Sequence, residues 1–280
     1  MLVIDAHQHL WDLENGSYLW PTPEVQVINR TFEFSELEPQ LQMHGVDRTV
    51  LVQAADSFQD TEAMLAVARR WPRVAGIVGW VPLEHPADAA QAIDRYSQEP
   101  TIVGVRHLIH NEPDPDWVLK EGVLHSLGLL AEAGLTFDVV AVLPRHLEHV
   151  CTIARRHPDL RIVIDHLAKP PIASGTMEPW HGLLTVAAAH SNVYAKLSGL
   201  NTAADWESWS AADLQPYVDV GLELFGPERL MFGSDWPVSL LAGDYAKVVA
   251  AARTALAGLS SAEQEQVWGR TAASFYQLSL

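Results

Sequence analysis

The chain has a single cysteine, Cys151, so it cannot close a disulfide within itself. Cys151 falls in a predicted helix, where it reads as a small buried apolar residue rather than a nucleophile. Basic residues are scarce as well. Lys and Arg number 18 against 35 Asp and Glu, a net charge of −17 with histidine neutral. Such a surface disfavours nucleic acid, whose phosphates need a basic face, and it disfavours an anionic membrane equally. No apolar run approaches the roughly 20 residues of a membrane span, and no basic, signal-like leader opens the chain. These absences predict a cytoplasmic protein of a reducing compartment. What remains is 280 residues with 48% hydrophobic and 19% charged positions, the composition of a folded domain with a large core.

Short apolar, β-branched runs recur from end to end: Leu2–Ala6, Arg48–Gln53, Val74–Trp80, Ile102–His107, Leu135–Val140, Arg161–His166, Asn192–Leu197 and Arg229–Gly233. Each is too short for a buried helix and is bounded by turn residues or charge. Helical stretches lie between them. Ser35-Glu36-Leu37-Glu38 reads as a capping box with Gly45 closing its helix, Pro86 stands at a first-turn position, and Gly134 and Pro158 follow two further helices. Strand starts fall 26 to 46 residues apart, which predicts a single-domain (β/α)8 barrel over residues 1–280. An open, doubly wound sheet would carry a glycine-rich phosphate turn after its first strand. Here that strand runs into His7-Gln8-His9 instead.

Catalytic groups of such barrels sit at the C-terminal ends of the strands. Alternation along the first strand predicts Asp5, His7 and His9 on one face, and two imidazoles at that spacing can grip one metal ion. Of Asp165 and His166, ending the sixth run, one is expected to point inward and the other toward the helices; the phase of Ile162 and Ile164 favours His166. Asp235 follows the last strand in Gly233-Ser234-Asp235-Trp236-Pro237, where a barrel site needs a carboxylate.

Three motifs carry a resemblance: Asp5-Ala6-His7-Gln8-His9-Leu10-Trp11, Ile164-Asp165-His166-Leu167-Ala168-Lys169-Pro170 and Phe232-Gly233-Ser234-Asp235-Trp236-Pro237. Weaker matches at Arg106-His107, Asp138, Lys196-Leu197-Ser198-Gly199 and near Tyr276 extend it along the chain. The sequence resembles the amidohydrolase superfamily, in its branch of sugar-acid lactonases. That resemblance implies a distorted barrel with at most one divalent ion, zinc or manganese, held by His7, His9 and Asp235, with His166 near or on it. Weak binding of the ion, or full dispensability, stays open. Arg106-His107 and Asp138 stand where dinuclear relatives carry a lysine or glutamate and a histidine, so a second ion is not expected.

Eight of the ten tryptophans, Trp11, Trp20, Trp80, Trp117, Trp180, Trp206, Trp209 and Trp236, fall at predicted strand ends or in the loops after them. Indole walls stack on the C–H faces of sugar rings. Cations near strand ends are few: Arg106, Lys169 and Lys196, with Arg145 just beyond. Arg106 is equally readable as the partner of an internal carboxylate such as Asp138. A polycarboxylate substrate would want clustered arginines, so a neutral sugar lactone fits better. The substrate-binding set is read as Trp11, Arg106, His107, Trp117, Lys169 and Trp236, with one of His107 and His110 meeting hydroxyls. Asp235 and His166 are read as the catalytic pair, Asp235 as general base. The competing reaction is decarboxylation, or opening of a carboxylated aromatic-breakdown lactone without metal. Loop tryptophans outside the mouth leave a homo-oligomer open.

Overall fold

The computed structural model describes every residue except Ser17 and Leu19. Eight parallel strands form one sheet in chain order, as the spacing predicts. They are β1 (Ile4–Gln8), β2 (Arg48–Val52), β3 (Val74–Gly79), β4 (Ile102–His107), β5 (Thr136–Val139), β6 (Ile162–Ile164), β7 (Val193–Leu197) and β8 (Leu230–Phe232). The ring closes beyond β8, where Trp236 bridges Gln8 in parallel fashion and His9 N–H donates to the Trp236 carbonyl at 2.7 Å. The helices after the strands are α1 (Phe34–Met43), α2 (Phe58–Arg70), α3 (Pro86–Tyr96), α4 (Glu121–Glu132), α5 (Pro144–Arg156), α6 (Trp180–Ala188), α7 (Ala211–Phe225) and α8 (Tyr245–Ala255).

Two apolar cores result, because every barrel strand is covered on both faces. The larger lies between sheet and helices. The smaller fills the barrel interior with Ile4, Ala6, Val50, Val52, Val78, Val163 and Met231. Its floor is closed by the C-terminal end of the chain. After α9 (Ser261–Glu265) and a π-turn, α10 (Thr271–Phe275) brings Phe275 and Tyr276 against that interior.

Local rules yield to this packing in three places. The capping box expected at Ser35–Glu38 sits two residues earlier: Glu33 is the N-cap, and its N–H donates to the Glu36 carboxylate at 3.4 Å. The reason is that Phe34, Leu37 and Leu41 form the buried stripe of α1, so the helix begins where Phe34 can join it. Trp180 is the first residue of α6 rather than a mouth residue, its indole N–H donating to the Leu167 carbonyl at 2.6 Å. β6 ends at Ile164, two residues short of the expected His166.

Candidate active site

The end of β1 does not keep its alternation. The pairing of β1 with β2 shifts register between Asp5 and Gln8. Such a bulge turns the following side chain to the other face. Ile4 and Ala6 face the barrel interior, and so does His7, whose Nδ1 lies 3.0 Å from Lys196 Nζ on β7. Asp5 faces away from it, contrary to the one-face expectation. Its carboxylate accepts from Ser234 N–H at 2.7 Å, Gln8 Nε2 at 2.6 Å and Tyr245 OH on α8 at 2.9 Å. Asp5 therefore ties β1 to the β8 loop instead of entering the site.

Beyond β6, His166, Leu167, Ala168 and Lys169 all have left-handed backbones, with φ between 49° and 59°. Four such non-glycine residues in a row are costly and are held only by their surroundings. The turn lets Asp165 and His166 both point inward, where the sequence expectation allowed only one. His166 Nδ1 meets Ser198 Oγ at 2.8 Å. Asp235 is left-handed too, at φ 58°. Gly199, at φ +59°, makes room for both: a Cβ there would collide with Asp235 Oδ2 and stand 2.9 Å from His166 Nδ1.

These turns bring four groups together. His7 Nε2 is 3.0 Å from His9 Nε2 and 3.7 Å from Asp235 Oδ1; His9 and His166 Nε2 lie 3.4 and 3.9 Å from the same oxygen. Ligand atoms of His7, His166 and Asp235 all fall within 4.8 Å of one another. Burial pushes all three imidazoles below the usual histidine range, His166 to about 3, so they stand neutral with lone pairs to offer. His9 Nδ1–H donates to the Val52 carbonyl at 2.8 Å, which leaves its Nε2 as the acceptor. Burial pushes Asp235 up, but the His166 and His9 side chains and the Lys169 charge outweigh it, and the carboxyl ends well below its ordinary range. Both Asp235 oxygens are buried without a hydrogen-bond donor among the described residues. A buried carboxylate in that condition requires a partner. Three neutral imidazoles around it are the donor set of a borderline divalent metal, so the residues fit such an ion.

The cluster opens into a cavity of 140 Å³ lined by His9, Trp20, Arg106, Leu108, His110, Val140, Val142, His166, Lys169, Asp235 and Val238. Of the substrate-binding residues read from sequence, Arg106 and Lys169 are on this wall. Trp11, His107, Trp117 and Trp236 are not. Trp11 is buried against Trp20 and Phe32, with its N–H on the Arg30 carbonyl. His107 is stacked on Trp117 at 4.0 Å and bonded through both nitrogens to Trp80 and Glu112. Trp117 donates to Glu84, and Trp236 packs on Phe32. These side chains hold up the loops. Trp20 and His110 take the cavity positions; both stood among the sequence candidates, but nothing local distinguished them from their buried neighbours.

Below the cavity lies a layer of paired charges. Arg106 Nη1 contacts Asp165 Oδ2 at 3.1 Å, so its carboxylate is Asp165 and not Asp138. Asp138 pairs with Lys196 at 2.6 Å. Burial pushes both carboxyls up. Lys196, with His7 and Arg106, reverses this for Asp165 and holds it well below the usual range, whereas Asp138 stays raised.

Comparison with known proteins agrees with this geometry. The chain is 43% identical over 242 residues to an L-fucono-1,5-lactonase of Burkholderia ambifaria, covering 86% of this chain and 82% of that one. It is 34% identical to an L-fucono-1,5-lactonase of Burkholderia multivorans, covering 99% and 96%. A crystal structure of a Burkholderia multivorans amidohydrolase with bound zinc superposes over 100% of both chains, with a TM-score of 0.93 and 32% identity. The sequence model of the amidohydrolase family matches residues 4–278. A barrel whose strand ends gather three histidines and an aspartate, matched along nearly its whole length, belongs to the amidohydrolase family.

Proposed function

We propose that this site hydrolyses the ring ester of a sugar-acid lactone of the fucono-, rhamnono- or galactono-lactone type. The observation that carries the reading is the meeting of His7, His9, His166 and Asp235 at one cavity. The identity of 43% to an L-fucono-1,5-lactonase supports it. The cavity's cations bear on the substrate. Arg106 is already engaged by Asp165 and by the Gln53 carbonyl. Lys169, bonded at 3.1 Å only to the Thr202 hydroxyl among the described residues, is the one without a carboxylate partner. One such cation suits a neutral lactone and the single carboxylate released from it, and suits a dicarboxylate poorly.

His7, His9 and Asp235, with His166 as a fourth group, would hold one divalent ion, zinc or manganese by their donor chemistry. When bound, such an ion supplies Lewis acidity toward the ester carbonyl and lowers the pKa of water. Asp235 accepts a proton from the attacking water at its carboxylate. The water oxygen bonds to the carbonyl carbon, and the ring C–O bond breaks as the intermediate collapses. Protonated Asp235 returns that proton to the leaving ring oxygen, directly or by passing it first to His166 Nε2. Ser198, at His166 Nδ1, keeps that ring turned to the cavity. Lys169 holds hydroxyls of the substrate and then the new carboxylate, with Trp20 as the flat wall.

A pH-indicator assay over neutral aldonolactones and dicarboxylate lactones tests the reading. Faster turnover of the neutral panel is expected, with elemental analysis giving about one ion per chain. A preference for dicarboxylates, or decarboxylation of an aromatic acid, would overturn it.

A further inference from the structure

Three consecutive backbone carbonyls at the end of β2 each hold a side chain of the site. The Val52 carbonyl accepts from His9 Nδ1–H at 2.8 Å, the Gln53 carbonyl from Arg106 Nη2, and the Ala54 carbonyl from the Trp20 indole N–H at 2.8 Å. The first two rest on the sheet. Val52 belongs to β2, and Gln53 N–H donates to the Val78 carbonyl of β3 at 2.9 Å. Ala54 stands one residue past that ladder. Its N–H is taken instead by Asp60 Oδ2, at 2.9 Å.

Asp60 lies in the first turn of α2 and is 3% exposed. Its other oxygen accepts from the Tyr18 hydroxyl at 2.8 Å. Tyr18 is two residues before Trp20 in the chain. One buried carboxylate thus grips both sides of the Trp20 contact: the segment that carries the indole and the residue whose carbonyl receives it. Stability does not account for this carboxylate. Burial lifts it to about 6, so at neutral pH its ionisation opposes folding. Trp20 itself lines the cavity, backed edge-to-face by Trp11 at 4.7 Å. An indole has a single N–H donor. With that donor spent on Ala54, Trp20 has none left for a substrate hydroxyl and offers apolar surface, whose value depends on how the ring is placed.

We propose that Asp60 is a positioning residue for substrate binding: through Ala54 and Tyr18 it seats the Trp20 indole against the cavity. The inference rests on the reading of the site given above, in which Trp20 is the flat wall. Asp60 is not on the wall of that cavity, so it acts through the indole and not by touching substrate. Its loss should weaken substrate binding and spare the chemical step, because the carbonyls that hold His9 and Arg106 keep their own anchors in the sheet.

The test compares Asp60→Ala with Asp60→Asn. The alanine variant loses both bonds and should raise KM for an aldonolactone about 3–10-fold, the worth of a hydrogen bond, with kcat within about twofold of wild type. The asparagine variant keeps an acceptor for Ala54 N–H and a polar group for the Tyr18 hydroxyl, and should restore most of the lost affinity. In a Trp20→Ala background, Asp60→Ala should raise KM no further, because an effect that acts through the indole vanishes with it. An unchanged KM in Asp60→Ala, or an equal rise in both backgrounds, would overturn the proposal. Hydrogen exchange of the Trp20 indole proton, its resonance assigned by its absence in Trp20→Phe, gives a readout free of turnover. Exchange should be slow in the wild type and at least about tenfold faster in Asp60→Ala. Equal exchange in the two proteins would also reject the idea. A wild type that opens no aldonolactone would refute the lactone reading instead, leaving indole exchange to judge Asp60. Should Asp60→Ala not fold, Tyr18→Phe carries the test: faster indole exchange with KM raised about threefold at constant kcat supports the proposal, and no change in either rejects it.

Discussion

Two polar layers sit one above the other in the barrel mouth, and they are built oppositely. In the lower, Asp138 and Asp165 each face a cation, Lys196 or Arg106, at 2.6 to 3.1 Å. In the upper, both oxygens of Asp235 lack a donor among the described residues and the surrounding imidazoles are neutral. Both layers are buried, so burial does not separate them. A cationic partner does. A buried carboxylate paired with a lysine or arginine resists change, whereas a buried carboxylate facing neutral imidazoles is poised to take a metal. The lower layer holds geometry and the upper layer has reactivity left over.

The largest effect should come from removing the unsatisfied carboxylate. Asp235→Asn keeps the size but cannot accept a proton from water, so kcat should fall by at least about 100-fold while KM changes far less. Steady-state rates must be read beside metal content, because the same change weakens a metal ligand. A kcat near wild type would transfer the base to His166.

Next is the contact that turns His166 toward Asp235. Ser198→Ala leaves His166 Nδ1 without its 2.8 Å partner, and kcat should drop by about tenfold, the lower end for loss of such an orienting bond. Unfolding midpoint and kcat measured together separate this from general destabilisation. An unchanged kcat would show that the left-handed turn alone orients the ring.

The aromatic wall gives a paired experiment. Trp20→Ala should raise KM for an aldonolactone by about tenfold, the loss of a stacking surface. Trp117→Ala should leave KM unchanged and cost about 3 kcal/mol of stability, since Trp117 is buried behind the cavity. Kinetics and denaturant melts on the two variants decide between the roles, and reversed results would relocate the substrate.

The smallest effect concerns a carboxylate that has donors but, among the described residues, no paired cation. Asp60, on α2, accepts from Tyr18 OH at 2.8 Å and Ala54 N–H at 2.9 Å, yet burial lifts it to about 6. Its folded pKa exceeds the unfolded one, so the folded state binds the proton more tightly. Stability from this group is therefore full below the unfolded value of about 3.8 and is lost as pH rises through about 6. From pH 7 to pH 5 the wild type should gain about 1 kcal/mol relative to Asp60→Asn in urea unfolding. A pH-independent difference would show that hydrogen bonds, not burial, dominate at Asp60.

Much of the architecture was legible because barrel strands are buried on both faces and so announce themselves as short apolar runs. Ile102–His107 has the bounds that the pattern predicts, and Pro86 opens its helix as expected. The bulge after Asp5 was not legible, since no residue type marks it. Neither was the inward turn of both Asp165 and His166, because four consecutive left-handed residues contradict local preference and persist only by packing. The tryptophans show the same limit. Trp20 and Trp117 both follow strand ends, and which one reaches the cavity depends on loops folding over each other.

Sequence by itself determined the parallel barrel and the residue types gathered at its mouth, because periodicity and residue type are local properties. It named His7, His9, His166 and Asp235 without saying how they face one another. Tertiary structure alone decided that Asp5 turns outward, that Arg106 belongs to Asp165, and that Lys196 and Tyr276 meet on Asp138. The reason is physical. Inside a closed barrel, the partner of a buried charge comes from strands tens of residues away, and the choice follows from which oxygen each cation can reach.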